Sequence, residues 1–187
     1  MVTNLEKILQ DIIENDIYKN LDWVCLSSNK NITPNFIEKY IDKPWEWGMF
    51  GISSNKNLTQ KFIEKYINKP WSWHTLTNHV CISQEFIEKH IQKPWDWSYT
   101  GLSKSNIISE QMIEKHLSKP WSWGKHGLSM HPFITPGFIE KHLDKNWAWG
   151  AFGISMNPNI TFEFIQKNKD KHWVWGEYGI SNMNAQI

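Results

Sequence analysis

A pair of tryptophans separated by one residue recurs six times in this chain, as Trp45/Trp47, Trp71/Trp73, Trp95/Trp97, Trp121/Trp123, Trp147/Trp149 and Trp173/Trp175, at spacings of 26, 24, 26, 26 and 26 residues. Twelve of the 13 tryptophans belong to this one periodic feature. A fixed period of this size is the mark of a repeat array, in which each copy packs on its neighbours and no single central core exists. The residues between the doublets repeat as well. Copies one to five span 33–58, 59–82, 83–108, 109–134 and 135–160, and a sixth, more polar copy spans 161–187.

Each copy opens on a hydroxyl residue, Thr33, Thr59, Ser83, Ser109, Thr135 or Thr161, suited to accept an N–H from the next turn. Proline follows at Pro34 and Pro136, where a first helical position tolerates it. Phe36, Ile37, Tyr40 and Ile41 and their counterparts then lie on one helical face, which predicts a helix of about ten residues. Glu38-Lys39 and its copies point the other way, as solvated columns. The Lys-Pro steps at Pro44, Pro70, Pro94 and Pro120 disfavour α geometry in the preceding residue and place a turn there.

The segment after each turn is less clear-cut. Trp23 and Leu26, like Trp73 and Leu76, stand at i and i+3, the spacing of a short second helix. The other copies insert two residues and glycine, as in Trp47-Gly-Met-Phe-Gly51-Ile52, and alternation with glycine also suits a short β-hairpin. The expected fold is an all-α solenoid of stacked short helical hairpins of ~26 residues. The alternative is an α/β repeat with a Trp-x-Trp strand in each copy. The chain is expected to form one array, with 1–32 as an N-terminal cap, 33–160 as five repeats and 161–187 as a C-terminal capping repeat. Thr3 caps a longer first helix carrying Leu5, Ile8, Leu9, Ile12 and Ile13, while Gln166, Asn168, Lys169 and His172 make the last copy wetter.

Composition narrows the function. All 20 basic residues are lysine and the net charge is +1, so no strong field draws the chain to nucleic acid or to an anionic membrane. Arginine forks for phosphate are absent. Cys25 and Cys81 have no paired spacing and are expected as free thiols of a reducing compartment. Neither a basic-then-apolar leader nor a run of ~20 apolar residues occurs, which predicts a soluble intracellular protein without a membrane partner.

The consensus Lys-Pro-Trp-x-Trp, then Ile/Leu-Ser, then Asn-x-x-Ile-Thr and Phe-Ile-Glu-Lys, over residues 20–182, resembles the tryptophan-rich tandem repeats of uncharacterised proteins from large nucleocytoplasmic DNA viruses. The resemblance implies a viral or virus-derived protein of the host cytoplasm. It brings no activity, cofactor or catalytic residue.

Candidate site residues follow the repeat. Trp45, Trp71, Trp95, Trp121, Trp147 and Trp173, the first ring of each doublet, are the candidates for an exposed aromatic groove that takes a protein or peptide. Trp23 matches the second ring where Leu21 replaces the first, so the second ring is expected in the core. Lys43, Lys69, Lys93 and Lys119 beside the rings suggest the alternative, a sequence-tolerant nucleic-acid binder; lysines solvated in the turns and rings in the core are the plain reading. His90, His116 and His142 share a position with Tyr40 and Tyr66, which favours a flat amphipathic ring over a metal ladder. His74, His79, Cys81 and His90 fit no standard zinc spacing. Near-identical copies lack the distinct converging groups of an active site, and neither a cofactor nor catalysis is expected. A structural protein without a discrete ligand is the third reading.

Overall fold

The computed structural model describes residues 2–15, 17 and 20–180. Among them every regular element is helical and no strand occurs, so the Trp-x-Trp strand is not found. The chain falls into two compact units, residues 1–95 and 96–187, with the division between the rings of the third doublet. Residues 181–187, the end of the expected capping copy, lie outside the described residues.

Helix α1, Asn4–Glu14, begins with a reciprocal cap: Thr3 Oγ1 accepts from Glu6 N, and the Glu6 carboxylate accepts from Thr3 N. Glu6 also accepts from the backbone N and Oγ1 of Thr33, at 2.7 and 2.6 Å, and so ties α1 to the start of copy one. Helices α3 (Pro34–Lys39), α4 (Gln60–Lys65), α6 (Gln84–Lys89), α7 (Glu110–Lys115), α8 (Pro136–Lys141) and α9 (Phe162–Lys167) open the six copies. Each is capped by the hydroxyl residue expected from the sequence, which accepts from the backbone N of the third residue on, at 3.2–3.3 Å.

These helices have six residues, not ten. The carbonyl of Tyr40 would next accept from residue 44, which is Pro44 and has no N–H. Lys43 N takes that carbonyl in a tight turn, and the Trp45 indole Nε1–H joins it at 2.8 Å, as the first tryptophan does at 2.7–2.9 Å in every copy. The geometry persists where Asn146 and His172 replace the proline. The doublet's first ring is thus a helix terminator.

The second half of a copy depends on its length. In the two short forms it is a helix: α2 (Trp23–Ser28), capped by Asp22, and α5 (Trp73–Thr77), capped by Ser72. There Leu26 N and Leu76 N donate to Asp22 O and Ser72 O, four residues back. In the longer forms the same bond spans six residues, from Ile52, Leu102, Leu128, Ile154 and Ile180 N to Glu46, Asp96, Ser122, Ala148 and Val174 O, at 2.6–2.9 Å. Single 3-10 turns follow at Ile52–Ser54, Leu102–Lys104, Leu128–Met130 and Ile154–Met156. The two extra residues bulge outward, and the next apolar residue still enters the core: Ile52, Leu76, Leu102, Leu128 and Ile154 are all fully buried. The expected second helix is therefore replaced by a closed loop in these copies.

Glycine makes the six-residue closure possible. A Cβ at Gly51, Gly101, Gly127, Gly153 or Gly179 would stand 1.9–2.2 Å from the carbonyl oxygen of the residue between the tryptophans. The first glycine of the loop meets no such wall; at Gly124 the nearest atom is 3.8 Å away.

Two polar stitches join successive copies within each unit. A buried hydroxyl after the apolar residue donates to the carbonyl of its own second tryptophan, at 2.5–2.8 Å for Ser27, Ser53, Thr77, Ser103, Ser129 and Ser155. Ser27, Ser53, Ser103, Ser129 and Ser155 also accept, at 2.8–3.0 Å, from the backbone N between the tryptophans of the next copy. Asn55 Nδ2 donates to the carbonyls of Ser27, Asn29 and Ile32 in the preceding loop, and Asn157 Nδ2 to those of His131 and Ile134. Gly127→Ala is expected to cost about 3 kcal/mol, whereas Gly124→Ala is neutral or stabilising by a few tenths to about 1 kcal/mol. Urea denaturation of the two single variants checks the contrast.

Candidate interaction surface

The first tryptophans do not form an exposed column. Trp45, Trp71, Trp95, Trp121 and Trp147 are only 4–7% exposed, and Trp173 is half-buried. The sequence left each ring's packing partner open, and the next copy supplies it. The second tryptophan of one doublet meets the first of the next edge to face: Trp23–Trp45, Trp47–Trp71 and Trp73–Trp95 in residues 1–95, and Trp97–Trp121, Trp123–Trp147 and Trp149–Trp173 in 96–187. Their centroids are 4.8–5.5 Å apart and their planes cross at 78–88°. Trp47 is typical. It stacks on Phe62 of the following helix at 9° between planes and meets the edge of Trp71.

The lysines complete this cage. Lys69 Nζ lies 5.2 Å from the Trp47 ring centroid, Lys93 5.3 Å from Trp73 and Lys119 5.4 Å from Trp97, and Lys145 and Lys171 repeat the contact on Trp123 and Trp149. Lys43, at the start of the series, is exposed. The lysines proposed to follow a nucleic-acid backbone thus include at least three that sit over core indoles.

The Glu-Lys columns are exposed, yet they are paired across copies. Lys39 meets Glu14, Lys65 meets Glu38, Lys89 meets Glu64, Lys141 meets Glu114 and Lys167 meets Glu140, at 2.6–2.9 Å. Tyr40 Oη also donates to Glu14, and His90 and His142 approach Glu64 and Glu114 at 3.3 and 3.5 Å. The Tyr/His position therefore holds a ring whose polar tip faces the preceding glutamate. Lys89 first, and His90 after it, hold the Glu64 carboxyl below its ordinary range. Each exposed pair adds little stability.

His79 and Cys81 come together, with Nδ1 and Sγ 3.1 Å apart. Burial pushes the Cys81 thiol up to about 11, so it is held as a neutral thiol and not as a thiolate. Among the described residues no group of three or more His, Cys, Asp or Glu side chains is arranged to hold a metal ion.

Exposed apolar side chains are scattered singly at positions such as Ile8, Val24, Val80, Leu143 and Phe162, and they recur on the inserted loops. In residues 1–95, Met49 and Phe50 project from the loop of copy one, Phe50 being 73% exposed. In 96–187, Tyr99, Phe152 and Tyr178 are exposed on theirs. His126, Phe152 and Tyr178 occupy one loop position in successive copies and pack ring on ring, with centroids 5.0 and 5.5 Å apart. His126 N donates to Phe152 O at 3.0 Å. Both His126 and Phe152 hold positive φ, 61° and 58°, a conformation that costs bulky L-residues about 1–2 kcal/mol. The sequence carried a signal for this surface: the loop residues change between copies (Met49-Phe50, Tyr99-Thr100, Lys125-His126, Ala151-Phe152, Glu177-Tyr178) while the glycine after them stays.

Comparison with protein-family models, with curated proteins and with solved structures yields no match, so the tryptophan-rich viral repeat stands as a resemblance on its motifs alone. No helix among the described residues is long and apolar enough to cross a membrane. Trp175, 64% exposed, has no following ring against it among the described residues. Acrylamide quenching is expected to act more on Trp175 than on any other single ring, with Trp23, Trp123, Trp149 and Trp173 half-buried, so that Trp175→Phe removes the largest single share of the quenchable emission; an undiminished quenchable fraction would contradict this.

Proposed function

We propose that the chain is a non-enzymatic protein-interaction scaffold, an α-helical solenoid built from ~26-residue copies. Its partner is a protein or peptide that meets the inserted loops, not the tryptophan column. The observation that carries this reading is the placement of Met49, Phe50, Tyr99, Phe152 and Tyr178, large apolar side chains exposed on loops whose residues vary while the framework around them repeats. Large exposed apolar groups on a rigid framework mark contact surfaces, and aromatic residues dominate their energetics. The motif resemblance supports a location in the host cytoplasm.

The nucleic-acid reading has less support, because it needs rings open for base stacking and lysines free for phosphate. The first five doublets have their leading rings in the core, and Lys69, Lys93 and Lys119 lie over indoles.

The test compares the full chain with a variant carrying Phe50→Ser, Tyr99→Ser, Phe152→Ser and Tyr178→Ser, each as bait in the native cell. A stoichiometric protein recovered by the parent and lost by about tenfold or more with the variant supports the scaffold. Equal recovery by both, or recovery of nucleic acid alone, contradicts it. Phe50→Ser and Tyr99→Ser should leave stability within about 0.5 kcal/mol per site, Phe152→Ser and Tyr178→Ser also lose ring contacts of about 0.5–1.5 kcal/mol each, and a circular-dichroism spectrum equal to the parent's verifies that the variant is folded.

A further inference from the structure

One repeat position carries Asn29, Asn55, His79, Ser105, His131 and Asn157 in successive copies. Where it is Asn55 or Asn157, a neutral amide donates to carbonyls of the preceding loop. Two copies put an imidazole in that place. His79 Nε2 lies 3.0 Å from Asn55 O, and its Nδ1 accepts from Cys81 N at 3.3 Å. A carbonyl only accepts and a backbone N–H only donates, so this geometry fixes the neutral ring with its proton on Nε2. Protonating Nδ1 would set two donors against each other. His131 is 3% exposed, packs on Phe133 at 3.9 Å between centroids and faces the main chain of Lys104 and Ser105. Neither of its ring nitrogens reaches a hydrogen-bond partner at ordinary distance.

We propose that His79 and His131 are acid-sensitive latches: protonation opens the loop junctions they close, one in each unit, while the helices around them stay folded.

The compensation that faces the two rings is only from the main chain, Asn55 for His79 and Lys104 and Ser105 for His131, and burial outweighs it. Around His79 stand the neutral Cys81 thiol, Gln60 bonded to Cys81 O, and the loop of Asn55 with the exposed Lys56. Around His131 stand Ser105, the exposed Lys104 and the Asn157 amide, which donates to His131 O. Burial is the first cause that holds both imidazoles below 6.5, and the opposing contributions come from the main chain. The sign follows. The opened loop takes up protons that the closed one refuses, so closure is at full strength above 6.5 and weakens as pH falls below it toward the depressed value.

Hydrogen exchange of the full chain at pH 7.5 and 5.0, corrected for chemical exchange, tests the latch. The reporters are the Ile82 and Ile134 amides, which donate to His79 O and His131 O. Their protection should fall by up to about tenfold per pH unit below 6.5, with the amides of α4 and α8 unchanged. His79→Asn with His131→Asn, using the residue already present in copies one and five, should abolish the fall. An NMR titration of the parent protein supplies a second measurement independent of any variant. A ring value for His131 at or above 6.5, or an acid effect that persists in the double variant, overturns the proposal.

Discussion

Each copy holds its neighbour by inserting one indole into a cage that it does not itself provide. Trp47 is the knob, and the following copy supplies the walls: Phe62 flat against it, Trp71 by its edge, Lys69 over the ring. Edge-to-face and stacked aromatic pairs add about 0.5–1.5 kcal/mol each beyond the area they bury. A copy taken alone would leave its knob bare and its cage empty. The two tryptophans of a doublet thus have different duties: the first ends its own helix and walls the preceding junction, and the second fills the junction that follows.

Polar groups fix the register of what the rings hold together. The hydroxyls of Ser27, Ser53, Ser103, Ser129 and Ser155 each accept from the next copy and donate to their own, so no buried donor or acceptor is stranded at that point. Any slip of one copy against another would leave an unsatisfied buried N–H, at a cost of about 1–3 kcal/mol. The outer Glu-Lys pairs repeat the same register at the surface, where solvent screening makes them weak. The inserted loops lie outside these constraints. Only their second glycine and the following Ile or Leu are fixed by the framework, which leaves Met49-Phe50 and Tyr99-Thr100 free to differ.

Features that depend on local chemistry were legible in the sequence. The hydroxyl caps, the proline-limited turns, the helices at Trp23 and Trp73 and the longer α1 all follow from neighbouring residues. The fate of each ring was not legible, because it depends on a residue about 24 residues away whose approach no local rule predicts. Trp45 and Trp71, expected to face outward, are buried by that partner. Helix length was missed for a different reason: Lys43 N and the Trp45 indole, three and five residues on, take the Tyr40 carbonyl, a local closure that the apolar pattern does not reveal. In the long copies the paired glycines were visible as a disturbance, but a six-residue closure against the carbonyl of Glu46 or Ser122 appears only once the backbone is traced. The exposed loop residues were thereby hidden in the two positions that looked like an irregularity.

A double-mutant cycle tests the knob-and-cage junction most directly. Trp47→Leu and Trp71→Leu, singly and together, measured by urea denaturation of the full chain, should show a coupling of about 0.5–1.5 kcal/mol. The same cycle on Trp45 and Trp47, neighbours in sequence that serve different junctions, should show a smaller one. Coupling that is absent between Trp47 and Trp71, or that is larger within the doublet than across the copies, would contradict the account.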